Sequence, residues 1–84
     1  LAQLKAAVAA SPDDHALRLD LANALMAAGD RDGSAEALLH IIAADREWNG
    51  GAAKARLLEI FALIGLEDSW VAATRRKLSA ILFG

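Results

Sequence analysis

Two histidines, four serines and eleven carboxylates are among the side chains of this 84-residue chain with the means for proton transfer, nucleophilic attack or metal binding. His15 follows Asp13 and Asp14, but that cluster sits just after Pro12, where a helix should open. Carboxylates there serve capping and the helix dipole. His40 lies four residues after Glu36, on the same helix face. Such a pair is a common surface pairing, and a metal site needs further ligands. Ser11, Ser34, Ser69 and Ser79 have no recognisable base nearby, and neither a glycine-rich phosphate loop nor a nucleophile elbow occurs. No cysteine is present, so the segment has no disulfide framework, thiol redox centre or thiolate metal site. The expectation is therefore no enzymatic activity, cofactor or metal within these residues. Recognition through apolar surface is the chemistry that remains.

The composition points the same way. The hydrophobic fraction is 56%, above the ~45–50% usual for a soluble chain. Much of the excess is alanine, which favours helix and lets helices approach closely. A chain this short makes one domain, residues 1–84, with limited interior for so many leucines and isoleucines. Part of its apolar surface should face a partner domain, subunit or ligand. A net charge of −2 argues against nucleic acid as a partner. The one basic run, Arg75-Arg76-Lys77, suits the end of a helix and solubility better than phosphate binding. Arg, Asp and Gly interrupt every apolar run well short of the ~18–20 residues of a membrane span, so no membrane role is expected. The lack of cysteine is compatible with a cytoplasmic home, the expected location. Leu1 in place of an initiator methionine reads as the start of a fragment of a longer protein.

The elements that must present this surface are all helical, because no stretch alternates with period two. Residues 1–10 are alanine-rich with Leu1, Leu4 and Val8 at helical spacing. Pro12 suits the first turn of a second helix, with Ser11 as its N-cap. That helix is predicted over 13–28, with one stripe of Leu17, Leu21, Leu25 and Ala22 and another of Leu19 and Met26 around Asn23. Gly29-Asp30 ends it. A third helix from Gly33 or Ser34 to Asp45 follows after so short a turn that the two are antiparallel neighbours. Arg46 to Gly51 is a turn. A fourth helix over 52–64 should bury Leu57, Leu58, Phe61 and Ile64, and Gly65 caps it. A fifth over 67–82 carries Trp70, Val71, Leu78, Ile81 and Leu82, with Trp70 in the core.

The helix–Gly–helix pattern recurs. Small Ala22 and Ser34 flank the Gly29-Asp30 turn where the two helices must cross closely, with Leu21, Leu25 and Leu38 at large positions. Thirty-four residues separate Pro12 from Arg46, and Phe61 and Gly65 recur after a two-residue insertion in the Trp48–Gly51 turn. In this the chain resembles a tetratricopeptide array: half a repeat, one complete repeat and a divergent last one. The fold class implied is all-α, antiparallel hairpins in a right-handed superhelix of four to five helices. An unrelated helical bundle with a chance spacing is the alternative. Departures from the pattern are Arg18 at the tryptophan position, Ile41 at a small position, Arg46 for the closing proline, and Trp70 where a small residue belongs. The ending WVAATRRKLSAILF after GLEDS resembles the C-terminal region of bacterial thioredoxin-like co-chaperones, the chaperedoxins. That resemblance implies a thioredoxin-like domain upstream of Leu1. It implies unfolded clients, a chaperonin or that upstream domain as protein partners.

In a solenoid of helical hairpins the first helix of each repeat lines the concave face. Leu19, Asn23 and Met26 of the second helix and Arg56, Glu59 and Leu63 of the fourth are the candidate protein-binding strip. Methionine suits a loosely specified apolar ligand. The strip lacks the lysines of a carboxylate clamp. Leu19 and Met26 are equally readable as packing beneath the first helix or an upstream domain. Trp48, beside Asn49-Gly50-Gly51, is either an exposed anchor or a lid folded back on the hairpin, with the lid favoured. Phe83 is either frayed or docked on further chain. A structural module that self-associates, as a homodimer, or docks an attached domain is the alternative function.

Overall fold

A computed structural model describes residues 1–84 as five helices, α1 (Ala2–Ala10), α2 (His15–Ala27), α3 (Arg31–Ala44), α4 (Ala52–Ile64) and α5 (Ser69–Phe83). One 3-10 turn (Trp48–Gly50) precedes α4, and there is no strand. The all-α expectation holds, and the bounds of α4 fall where its flanking glycines place them.

The start of α2 differs from the sequence expectation. Ser11 closes α1, its N–H bonded to the Ala7 carbonyl, and does not cap α2. Ser11 to Asp14 forms a β-turn closed by the Asp14 N–H on the Ser11 carbonyl, with Pro12 at the second position that its fixed φ favours. The cap passes to Asp14, whose carboxylate accepts from the Leu17 N–H at 3.1 Å. Helix α2 therefore starts two residues later than the periodicity implies.

Its other end forms a Schellman motif. Gly29, at φ 86°, donates to the Met26 carbonyl, and the Asp30 N–H reaches back to Leu25 at 2.9 Å. The Asp30 side chain simultaneously accepts from the Gly33 N–H at 2.9 Å, capping α3. This is why α3 begins at Arg31 and not at Gly33 or Ser34. Gly33 belongs to the cap itself, since a Cβ there would lie 2.6 Å from the Asp30 carboxylate.

Helix α3 is the centre of the molecule. It packs on α2, α4 and α5, and buries Ser34, Ala35, Ala37, Leu38, Leu39, Ile41 and Ile42. Its apolar residues join Ala22, Ala53, Leu57, Ile60, Phe61, Val71 and Leu78 in the main core. A smaller cluster of Val8, Leu21 and Leu25, flanked by Leu4 and Leu17, holds α1 to α2. Ala22 is fully buried and Ser34 is 1% exposed, so the small residues do lie at the crossing of α2 and α3. The Ser34 hydroxyl has no hydrogen-bond partner there. Ser34→Ala is expected to keep the fold and add ~1 kcal/mol by removing an unsatisfied buried polar group. A higher urea midpoint at unchanged slope would show it; a lower midpoint would mean that the hydroxyl is bonded in solution.

The last hairpin is built differently. Leu58, expected in the core, is 46% exposed, and Ile60 is buried in its stead. Leu57, Ile60, Phe61 and Ile64 are the inward stripe, and Leu58 lies about a hundred degrees further round the helix. Nothing covers that flank, because the backbones of α4 and α5 approach at few points and α5 packs mainly on α3. Trp70 explains the geometry. Half-buried and not fully in the core as expected, it sets its ring edge against Phe61 (centroids 6.3 Å apart). Its indole N–H donates to Asp32, and Arg31 lies over its face at 5.2 Å. An indole in place of the small residue at the helix crossing wedges α5 away from α4 and ties it to the start of α3. Asp68 caps α5 through the Trp70 and Val71 N–H groups, so α5 starts at Ser69 and not at Glu67.

Candidate protein-binding site

The six residues of the expected strip fall into two groups. Asn23 on α2 and Arg56 on α4 are joined directly, the Arg56 Nε–H donating to the Asn23 side-chain oxygen at 2.9 Å. Arg56 also pairs with Glu59 at 3.8 Å. Leu63, one turn beyond Glu59, stands 73% exposed. These four form a continuous face, with Asn23, Glu59 and Leu63 exposed and Arg56 half-buried between them, polar across the α2–α4 junction and apolar at its end. Leu19 and Met26 do not share it fully, because both are half-buried and pack on the main core. They pack there and not beneath α1, which rests on the Leu21–Leu25 side of α2.

Trp48 lies apart from this face. It is half-buried against the main core, with its ring and that of His15 edge-to-face at 5.7 Å. The 3-10 turn that carries it requires a left-handed Asn49 (φ 50°), which folds the indole back over the start of α2. His15 is thereby occupied by packing. Glu36 and His40 line a shallow polar cleft with Lys5, Arg18 and Asp30, and nowhere do three His, Cys, Asp or Glu side chains come together as a metal site would need. No helix is long and apolar enough to cross a membrane.

Sequence reasoning missed the largest cleft, of about 710 Å³, between the start of α4 and the end of α5. Leu58 and Leu82 form its apolar part, and Arg46, Glu47 and Lys54 its charged rim. The signal was present in the repeat count. Thirty-six residues on from Ala22 and Ser34, the two small crossing positions, stand Leu58 and Trp70. Two large residues cannot occupy a close helix crossing, so the second hairpin had to open.

Comparison with known proteins gives one match. The family model described as Tetratricopeptide repeat matches residues 1–83. No curated protein and no solved structure matches the chain. The family match covers all but the last residue and fits the antiparallel α2–α3 hairpin with its small-residue crossing. The chain belongs to the tetratricopeptide repeat family.

Proposed function

We propose that this domain is a protein-interaction module, without catalysis of its own, in a cytoplasmic thioredoxin-like co-chaperone that holds unfolding clients. Tetratricopeptide domains bind proteins, and the single observation that carries the interaction reading is the family match over residues 1–83. The Asn23–Arg56–Glu59–Leu63 face offers a client an apolar contact at Leu63 beside hydrogen-bonding groups. The finer, co-chaperone part rests on the resemblance of the Gly65–Phe83 ending to the chaperedoxins and on the apolar excess of the chain. A chaperonin and the upstream thioredoxin-like domain are the further partners that this reading entails.

The test is suppression of light scattering when guanidine-unfolded luciferase is diluted into buffer with the domain. Suppression is expected at near-equimolar domain, and Leu63→Glu should weaken it about tenfold, equivalent to ~1.4 kcal/mol of binding free energy. Because Leu63 is 73% exposed, the substitution should leave helicity and melting temperature unchanged. Aggregation that proceeds unhindered by the wild-type domain would remove the client-holding role. A tight dimer at every concentration, measured by light scattering without client capture, would favour the self-association alternative.

A further inference from the structure

The structure assigns the cleft between α4 and α5 to a peptide segment that presents leucine-sized side chains flanked by carboxylates. The inference rests on the interaction reading above and places a second contact on a face remote from Leu63 in the helix rotation. Its origin is the Trp70 wedge. In the α2–α3 hairpin the residue equivalent to Leu58 is Ala22, which is wholly buried by the partner helix. In the α4–α5 hairpin the helices stay apart, and the gap keeps Leu58 46% exposed opposite Leu82, which closes the far side. The space, about 710 Å³, is a groove open to solvent along one side, wide enough for side chains of a bound segment to lie in it.

Charge decides which kind of segment fits. Residues 50–84 carry five cations against three anions, whereas residues 1–49 carry four against eight. The open hairpin is thus the positive part of an acidic chain. At the cleft itself Lys54 and Arg46 outnumber Glu47. Arg46 already leans across the opening, one guanidinium N–H donating to the Leu82 carbonyl at 3.3 Å, which holds its charge at the rim. Lys54 makes no ion pair and is exposed. An apolar floor with a lysine and an arginine charge at its edge favours apolar side chains between acidic ones and disfavours the same side chains between basic ones.

The experiment measures fluorescence anisotropy of two labelled ten-residue peptides, one alternating Glu and Leu and one alternating Lys and Leu, added to the 84-residue chain. The Glu–Leu peptide is expected to bind at least tenfold more tightly, and added salt should narrow the gap. Lys54→Glu should cancel or invert the preference. Leu58→Glu should abolish binding of the Glu–Leu peptide, while Leu63→Glu should leave it unchanged. Circular dichroism of each variant checks that the fold is retained, and Leu58→Ala, which only shortens the floor, gives an intermediate loss. Equal affinity for both peptides, or binding lost with Leu63→Glu and kept with Leu58→Glu, overturns the assignment. A dimer abolished by Leu58→Glu with neither peptide bound would give the cleft to a second copy and also overturn it. Client holding that survives both cleft variants, with no peptide bound, sinks the cleft and spares the client reading. Peptide binding without client holding does the reverse.

Discussion

Leu38→Ala is expected to lower the unfolding free energy by about 3–5 kcal/mol, as a fully buried leucine does when no neighbour can move into the space. Leu38 has no exposed surface and sits mid-way along α3. Helix α3 touches α2, α4 and α5 at once, so a side chain relaxing into the cavity from one of them would loosen its packing on the others. For a domain of this size each kcal/mol moves the melting temperature by roughly 4–8 °C. The variant should therefore melt on the order of 15 °C lower, or be partly unfolded at room temperature. Urea titration followed by circular dichroism measures the loss. Leu58→Ala removes the same atoms from a 46% exposed site and should change stability by well under half as much. A Leu38→Ala loss below ~1 kcal/mol would contradict the central place given to α3.

Trp70→Ala is the second large effect, and its signature is local. Deleting a buried tryptophan typically costs about 3–5 kcal/mol, and partial exposure brings the expectation here to about 2–4. The indole takes with it the edge-on pairing with Phe61, the hydrogen bond to Asp32 and the Arg31 guanidinium over the ring. Two of these three interactions run to the first turn of α3. Since α5 meets α4 at few points, its N-terminal half is otherwise held mainly by buried Val71 and Thr74. Amide hydrogen exchange should accelerate in α5 far more than in α2 or α3. Trp70→Phe, which keeps an aromatic edge but has no donor for Asp32, should lose about 1 kcal/mol. Uniform acceleration over all five helices would show instead that α5 opens only with the whole domain.

The sequence was most readable where a single residue type has a single physical use. Glycines at 51 and 65 bound α4, and the alanine–serine pair at 22 and 34 marked the close crossing. It was least readable where two residues compete for one task. Ser11 and Asp14 are both good caps, and the choice between them depended on Pro12 closing a turn first. The burial of Leu58 depended on a residue twelve positions away, because a helix face is apolar inward only if a neighbour arrives to cover it. The candidate strip was legible as far as Asn23 and Arg56, which the repeat count put on adjacent helices. Periodicity reports that Leu19 and Met26 are apolar on a second face; it does not report whether core or solvent lies beyond. The cleft was the cost of not following the same count one repeat further, to Leu58.

Asp30 has a consequence for the order in which the chain acquires its shape. Its N–H finishes α2 and its carboxylate starts α3, so the two helices are separated by almost no free chain. Loop closure, the main entropic barrier to bringing distant segments together, is close to its minimum there. The α1–α2 and α4–α5 connections are almost as short, but only the α2–α3 pairing combines a minimal turn with a closed small-residue crossing at Ala22 and Ser34, so it is expected to form early. Helices α1 and α4 then condense on opposite sides of an existing hairpin, and α5 joins last, through Trp70. During synthesis the α2–α3 hairpin would be in place before α5 emerges, and α5, which meets α4 at few points, would remain the helix most readily lent to something else.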